Sequence, residues 1–170
     1  MIHIYCGDGK GKTTAAFGLC LRAAGRDWGV VIAQFLKSGE SGERVSMGRI
    51  PGIKLLDVPK TIKFTFAMSE EEKGEAARDC LRLLSEAARE LEAGTKLAVL
   101  DECCAAVSTG LLPLEELLSF LDRWGGEREV VLTGRDPAPA LLERANYVTE
   151  MKKIRHPYDA GGEARVGIEW

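Results

Sequence analysis

The sequence predicts one α/β domain, a mostly parallel sheet with helices on both faces. Three observations predict it. Strand-like and helix-like stretches alternate along the whole chain. Several strand-like stretches, residues 29–35 above all, are unbroken apolar runs, the pattern of strands covered on both sides. A glycine-rich turn at 7–11 leads from the first strand-like run straight into the first helical one. No internal repeat or low-complexity linker divides the 170 residues, so a single domain over 1–170 is expected.

Residues 2–6 are a short β-rich run, and a helix follows over 12–24, apolar on most sides and so expected to be buried. Gly25 is a natural stop for it. The apolar strand at 29–35 gives way to a polar, glycine-rich stretch at 36–52, read as a surface loop, and then to a third strand at 53–58. Ser69-Glu70-Glu71-Glu72 has the form of a capping box, a serine cap with glutamate three residues on. It opens a helix to about residue 93 whose Ala77, Cys80, Leu84, Ala87 and Leu91 recur every three or four residues and make one buried face. A strand at 96–100 ends in Asp101-Glu102. Residues 113–124 read as a helix with proline in its first turn, 129–133 as a strand, 139–145 as a short helix and 146–150 as a strand. Residues 165–170 read as an edge strand.

Composition narrows the function classes. Apolar residues are 45% and charged residues 29%, ordinary for a globular domain. Lys plus Arg number 23 against 26 Asp plus Glu, a net charge of −3, which argues against nucleic acid as the partner. No stretch approaches the ~20 apolar residues of a membrane helix, and the N-terminus lacks the charged start of a signal peptide. The five cysteines show no C-x-x-C spacing. Neither a disulfide framework nor a zinc site is expected; they are small core residues of a reduced, cytoplasmic protein.

The sharpest signal is Gly7-Asp8-Gly9-Lys10-Gly11-Lys12-Thr13-Thr14, between a strand and a helix. That is the context of a phosphate-binding loop. Backbone N–H groups of the turn converge on phosphate oxygens, and the helix N-terminus adds partial positive charge. Lys12 is placed to reach phosphate and Thr13 to put its hydroxyl on Mg²⁺. The loop is a shortened variant: three residues separate Gly7 from Gly11, and Cys6 stands where the usual first glycine would be.

The run 97–102 supports this, because an apolar strand ending in two carboxylates is what a Mg²⁺ site opposite such a loop needs. Asp101 would hold the ion or a liganding water and Glu102 would ligate it directly; the plainer reading is that the two acids cap the next helix. Thr133-Gly134-Arg135 ends a strand at the edge where ligands bind in open α/β sheets, so Arg135 is a candidate phosphate clamp, unless it is only solvated. Lys152-Lys153-Ile154-Arg155-His156 is most simply a solvated basic face. Phe64 and Phe66 flank Thr65 in a stretch read as extended, where residues two apart point the same way; core packing is the plainer reading.

These residues, in this order, resemble the ATP:corrinoid adenosyltransferases of the cobalamin pathway, in their bacterial P-loop branch. The resemblance rests on the phosphate loop through Ala15-Ala16-Phe17-Gly18. It rests also on Gln34-Phe35-Leu36-Lys37, Gly42-Glu43-Arg44, Val99-Leu100-Asp101-Glu102 and Thr133-Gly134-Arg135, then on residues 156–161 and the ending Gly167-Ile168-Glu169-Trp170. It covers nearly the whole chain. It implies a RecA-like, P-loop NTPase-like fold, usually a homodimer, and transfer of the 5′-deoxyadenosyl group of ATP to Co(I) of a corrinoid with release of triphosphate. It implies Mg²⁺ (or Mn²⁺) and a flavoprotein reductant. In this family ATP lies across the loop opposite to its direction in most P-loop enzymes. Two aromatics in a loop crowd the lower face of the corrin and displace its axial ligand, which eases reduction of cobalt. The matching residues are Phe64 and Phe66, with Phe66 in place of a tryptophan. The sequence starts at the first strand, without the N-terminal extension that some members fold over the site. Asn146 stands where aspartate is commoner.

The resemblance therefore assigns Lys12, Phe64, Phe66 and Arg135 to catalysis. Gly7, Asp8, Gly9, Lys10, Gly11, Lys12, Thr13, Thr14 and Arg135 go to ATP, and Thr13, Asp101 and Glu102 to the metal. Another small P-loop kinase or ATPase shares the loop and the carboxylates and differs in its product, ADP instead of triphosphate. A nucleotide-gated binding module differs in having no turnover.

Overall fold

The computed structural model describes residues 1–39, 41–59 and 63–169. Its centre is a six-stranded sheet in which every pairing is parallel. The strands are β1 (Ile2–Cys6), β2 (Val30–Gln34), β3 (Ile53–Leu55), β4 (Leu97–Asp101), β5 (Glu129–Thr133) and β6 (Tyr147–Glu150), in the order β3-β2-β4-β5-β1-β6. The helices are α1 (Lys12–Ala24), α2 (Gly42–Met47), α3 (Glu70–Glu92), α4 (Cys103–Ser108), α5 (Leu114–Trp124) and α6 (Pro139–Arg144).

The apolar runs are the buried strands. Every residue of β2 and of β4 is buried, because alternate side chains meet helices on opposite faces of the sheet. On one face Val31, Ala33, Ala98, Leu100 and Leu132 pack with α3 (Leu83, Leu84, Ala87, Leu91) and α5 (Leu117, Phe120, Leu121, Trp124). On the other, Val30, Ile32, Val99 and Val131 pack with α1 (Ala16, Phe17, Cys20, Ala23) and with Met47 of α2. All five cysteines are buried and free, and burial pushes the thiol of Cys20 up to about 12 and that of Cys80 up to about 11.

The capping box forms as the sequence predicts. The Ser69 backbone N–H donates to Glu72 Oε2 at 2.8 Å, and the Glu72 N–H donates to Ser69 Oγ at 3.2 Å. Four expectations need correction. Helix α1 is amphipathic, not buried all round: Thr14, Gly18 and Leu21 are exposed on its outer side. The stretch 36–52 contains the short helix α2. The third strand ends at Leu55, not residue 58. Residues 166–169 form turns and not an edge strand, and Trp170 lies outside the described residues. Asn146, given no role from sequence, joins the first strand to the last: its Oδ1 accepts from the Ile2 N–H at 2.8 Å, a bond an aspartate oxygen would also accept.

Chain order and strand order part company at the site. β1 runs into α1 and then β2, but β4 and β5 lie between β1 and β2 in the sheet. The loop after β1 therefore opens beside the carboxyl ends of β4 and β5, at the kind of crossover where open α/β sheets bind ligands.

Candidate nucleotide site

A groove of about 810 Å³ runs along the carboxyl edge, large enough for a nucleotide. Its walls include the loop from Gly9 to Thr14, Glu102, Arg135 and the tail residues Gly167 to Glu169.

The loop is shaped by glycine. Gly7 (φ +97°) and Gly11 (φ +113°) are left-handed, a conformation that costs other residues energy. The Gly9 N–H donates to Met151 O at 2.6 Å, and a Cβ on either Gly7 or Gly9 would lie 2.5 Å from that oxygen. Only bare backbone fits between β1 and the segment after β6. Lys12 folds back along the loop, its Nζ donating to Gly7 O and Gly9 O at 2.8 Å each; burial pushes its pKa down. Two loop side chains turn to the tail instead. Asp8 Oδ1 accepts from the Lys153 N–H at 2.9 Å, a bond that holds its carboxyl below the ordinary value. Lys10 Nζ donates to Glu169 Oε1 at 3.0 Å. Glu169 also takes Arg165, and together these donors hold it at about 2.

Opposite the loop, Asp101 is fully buried and accepts four hydrogen bonds. Thr13 Oγ1 (2.9 Å) and Thr133 Oγ1 (2.7 Å) donate to Oδ1. Gln34 Nε2 (3.0 Å) and Lys37 Nζ (2.7 Å) donate to Oδ2. Burial alone would push the carboxyl up; the Lys37 ammonium and these donors outweigh it and hold it below the ordinary value. Arg44 fixes Gln34 in turn, donating from Nη1 to Gln34 Oε1 at 2.9 Å and from Nη2 to Leu56 O at 3.0 Å. Glu102 is left-handed (φ +63°), with its N–H donating to Thr133 Oγ1 at 2.8 Å. This turns its side chain toward the groove, and burial, then the Asp101 charge, pushes its pKa up. Glu102 thus does precede a helix, α4, but both acids also face the phosphate loop.

Arg135 is exposed on the groove wall. It follows Gly134 (φ +143°), where a Cβ would stand 2.7 Å from that of Cys104. Phe64 and Phe66 are not among the groove's lining residues. They lie between β3 and α3, 77% and 87% exposed, so core packing is excluded. Thr65–Ala67 is a 3₁₀ turn and not extended, yet the rings stack, 5.5 Å apart and 8° from parallel. A cavity of about 230 Å³ beside this segment is lined by Lys63, Met68, Cys80 and, reaching into the Asp101 cluster, Gln34. The basic run after β6 is largely exposed, and Lys153 pairs with Asp159 at 3.0 Å. Gln34, Lys37 and Thr133 stand within runs that carry the family resemblance, but the sequence reading gave them no role in the site. Their signal was polar residues at or just past the ends of apolar parallel strands.

Fold and site together define an α/β nucleotide-binding domain with a phosphate loop facing a carboxylate pair. The model of the family ATP:corrinoid adenosyltransferase BtuR/CobO/CobP matches residues 1–170. The corrinoid adenosyltransferase CobA of Salmonella typhimurium is 36% identical over 172 aligned residues, covering all of this chain and 85% of that protein. Corrinoid adenosyltransferases of Escherichia coli and Pseudomonas aeruginosa are 35% and 32% identical, and 85% and 83% of their lengths are covered. This chain belongs to the ATP:corrinoid adenosyltransferase family. No helix among the described residues is long and apolar enough to cross a membrane.

Proposed function

We propose that the chain transfers the 5′-deoxyadenosyl group of ATP to Co(I) of a corrinoid and releases triphosphate. One observation carries the reading. Lys12, Thr13, Asp101, Glu102 and Arg135 come together around one groove in a chain that matches the adenosyltransferase family from end to end.

In this reaction Co(I) attacks C5′ of the ribose, the cobalt–carbon bond forms, and the C5′–O bond breaks. The electron pair leaves with the triphosphate, and no general base is needed. The burden on the protein is the charge of the leaving group. Lys12, Arg135 and the N-terminus of α1 supply fixed positive charge along it, and such preorganised charge is the largest lever available. The donor set fits Mg²⁺ (or Mn²⁺): a hydroxyl and two carboxylates are hard oxygen ligands, and the Lys37 ammonium already rests against Thr13 and Asp101, so the spot takes positive charge. Thr13 and Glu102 would hold the ion, with Asp101 ligating it or a bound water; the ion would neutralise phosphate charge. Asp8 and Lys10 contribute backbone to the phosphates, since their side chains hold the tail. Phe64 and Phe66 are exposed and stacked, available to the lower face of a corrin. A single domain over 1–170 fits one sheet with two apolar faces. A homodimer and a flavoprotein electron donor follow from the family resemblance, and a cytoplasmic location from five cysteines without disulfide or metal spacing.

Phosphorus NMR of a completed reaction tests the assignment. Triphosphate is expected as the nucleotide's phosphate product, one per corrinoid alkylated. ADP and phosphate in equal yield, with no triphosphate, would make the protein an ATPase.

A further inference from the structure

Lys37 belongs neither to the phosphate loop nor to the carboxylate pair, yet its ammonium stands at the centre of the site. Nζ lies 2.7 Å from Asp101 Oδ2 and 3.1 Å from Thr13 Oγ1. Leu36, left-handed at φ +53°, bends the chain after β2, and Phe35, whose N–H donates to Asp101 O at 2.8 Å, ties that bend to β4. We propose that Lys37 is a displaceable counter-cation: without nucleotide it neutralises Asp101 and occupies the Thr13 oxygen, and it leaves both when a divalent cation binds there with ATP.

The inference rests on the metal assignment of the proposed function and adds a competitor for the same oxygens. Asp101 has no exposure to water. Of its four donors, Lys37 is the one that carries a full charge, and a buried carboxylate without a counter-charge is costly. Thr13 has one hydroxyl hydrogen, given to Asp101. Of its two lone pairs, Lys37 occupies one. An ion ligated to Thr13 sits about 2.0–2.1 Å from its oxygen. That puts two cations within a few ångströms of each other, where they repel. The exit is open. The Lys37 side chain is 28% exposed, and the residue lines the groove with Lys12 and Glu102. Leaving Asp101, the ammonium moves toward the space a triphosphate would fill and exchanges a carboxylate partner for phosphate.

The test is a Mn²⁺ titration of the nucleotide-free protein, followed by electron paramagnetic resonance. Lys37→Met should bind Mn²⁺ about tenfold more tightly than the parent, or better. It should also melt at a lower temperature without metal and regain more of that loss on adding Mn²⁺. Lys37→Arg keeps the charge and should keep the parent's weaker Mn²⁺ affinity. Should the methionine variant not fold, Lys37→Gln, which keeps an N–H donor for Asp101, serves the same titration. Lys12→Met controls for general electrostatics, since it removes a charge from the same groove without touching Thr13 or Asp101. A gain for Lys37→Met no larger than that for Lys12→Met, or no gain, overturns the proposal. Neither ATP nor corrinoid is present, so a failure here is separate from a failure of adenosyl transfer, which is read from the product.

Discussion

Lys12→Ala should keep the fold and lose about 10²–10³ in turnover rate, the usual cost of removing one preorganised contact to developing charge. The Lys12 ammonium bridges two loop carbonyls, Gly7 O and Gly9 O. The same position holds it over the turn whose N–H groups would face phosphate. Its loss removes two hydrogen bonds from the loop, each worth about 1.5–3 kcal/mol because the donor is charged, and leaves both apolar faces of the sheet untouched. Thr13→Ala should act on the same step, because it removes the hydroxyl that joins the loop to Asp101. Turnover at saturating ATP, beside a melting curve, checks both. Activity within a few-fold of the parent would take these residues out of the site.

Phe64→Ala and Phe66→Ala should fail in a different way. A lower-face donor kept off cobalt raises the potential of its reduction, and for a one-electron couple ~120 mV changes the reduced fraction about 100-fold. With a mild protein reductant each variant should therefore be slowed by about that order. With chemically prepared Co(I) the loss should largely vanish, and ATP affinity should hardly move, since neither ring lines the nucleotide groove. Truncating a buried phenylalanine costs about 3–5 kcal/mol. These rings are mostly exposed, so the melting temperature should stay near the parent's. Equal losses in the two assays would remove the redox role.

Much of this was legible in the sequence because the signals were local. The glycine turn, the apolar runs at 29–35 and 97–100 and the Ser69 capping box each lie within a few residues, and each forms where periodicity and capping rules place it. Helix α4 was legible only as the helix that the two acids precede, without bounds, because it has six residues, no side-chain cap, and a start in a left-handed glutamate. The Asp101 cluster was half seen. Asp101 and Thr13 carry site roles within their motifs, whereas Gln34 and Lys37 stand in a run that marked only the family resemblance; they join the cluster through the register that pairs Gln34 with Asp101, and that needs the strand order. The tail was read as an edge strand, yet its turn is held locally: the Arg165 N–H and guanidinium donate to Glu169, and the Ile168 and Glu169 N–H groups donate to Arg165 O, with Lys10 adding a contact to Glu169 from across the chain.

Transfer of carbon is the central claim, and ATP labelled with tritium at C5′ follows it directly. Labelled ATP, Mg²⁺, reduced corrinoid and protein are combined in the dark, and the corrinoid is isolated. Adenosyl transfer predicts one tritium-bearing group per corrinoid, released by light as the cobalt–carbon bond breaks, with about a hundredth as much or less acquired when Lys12→Ala replaces the parent over the same early interval. Label that stays wholly in ADP or adenosine, with an unalkylated corrinoid, would contradict it.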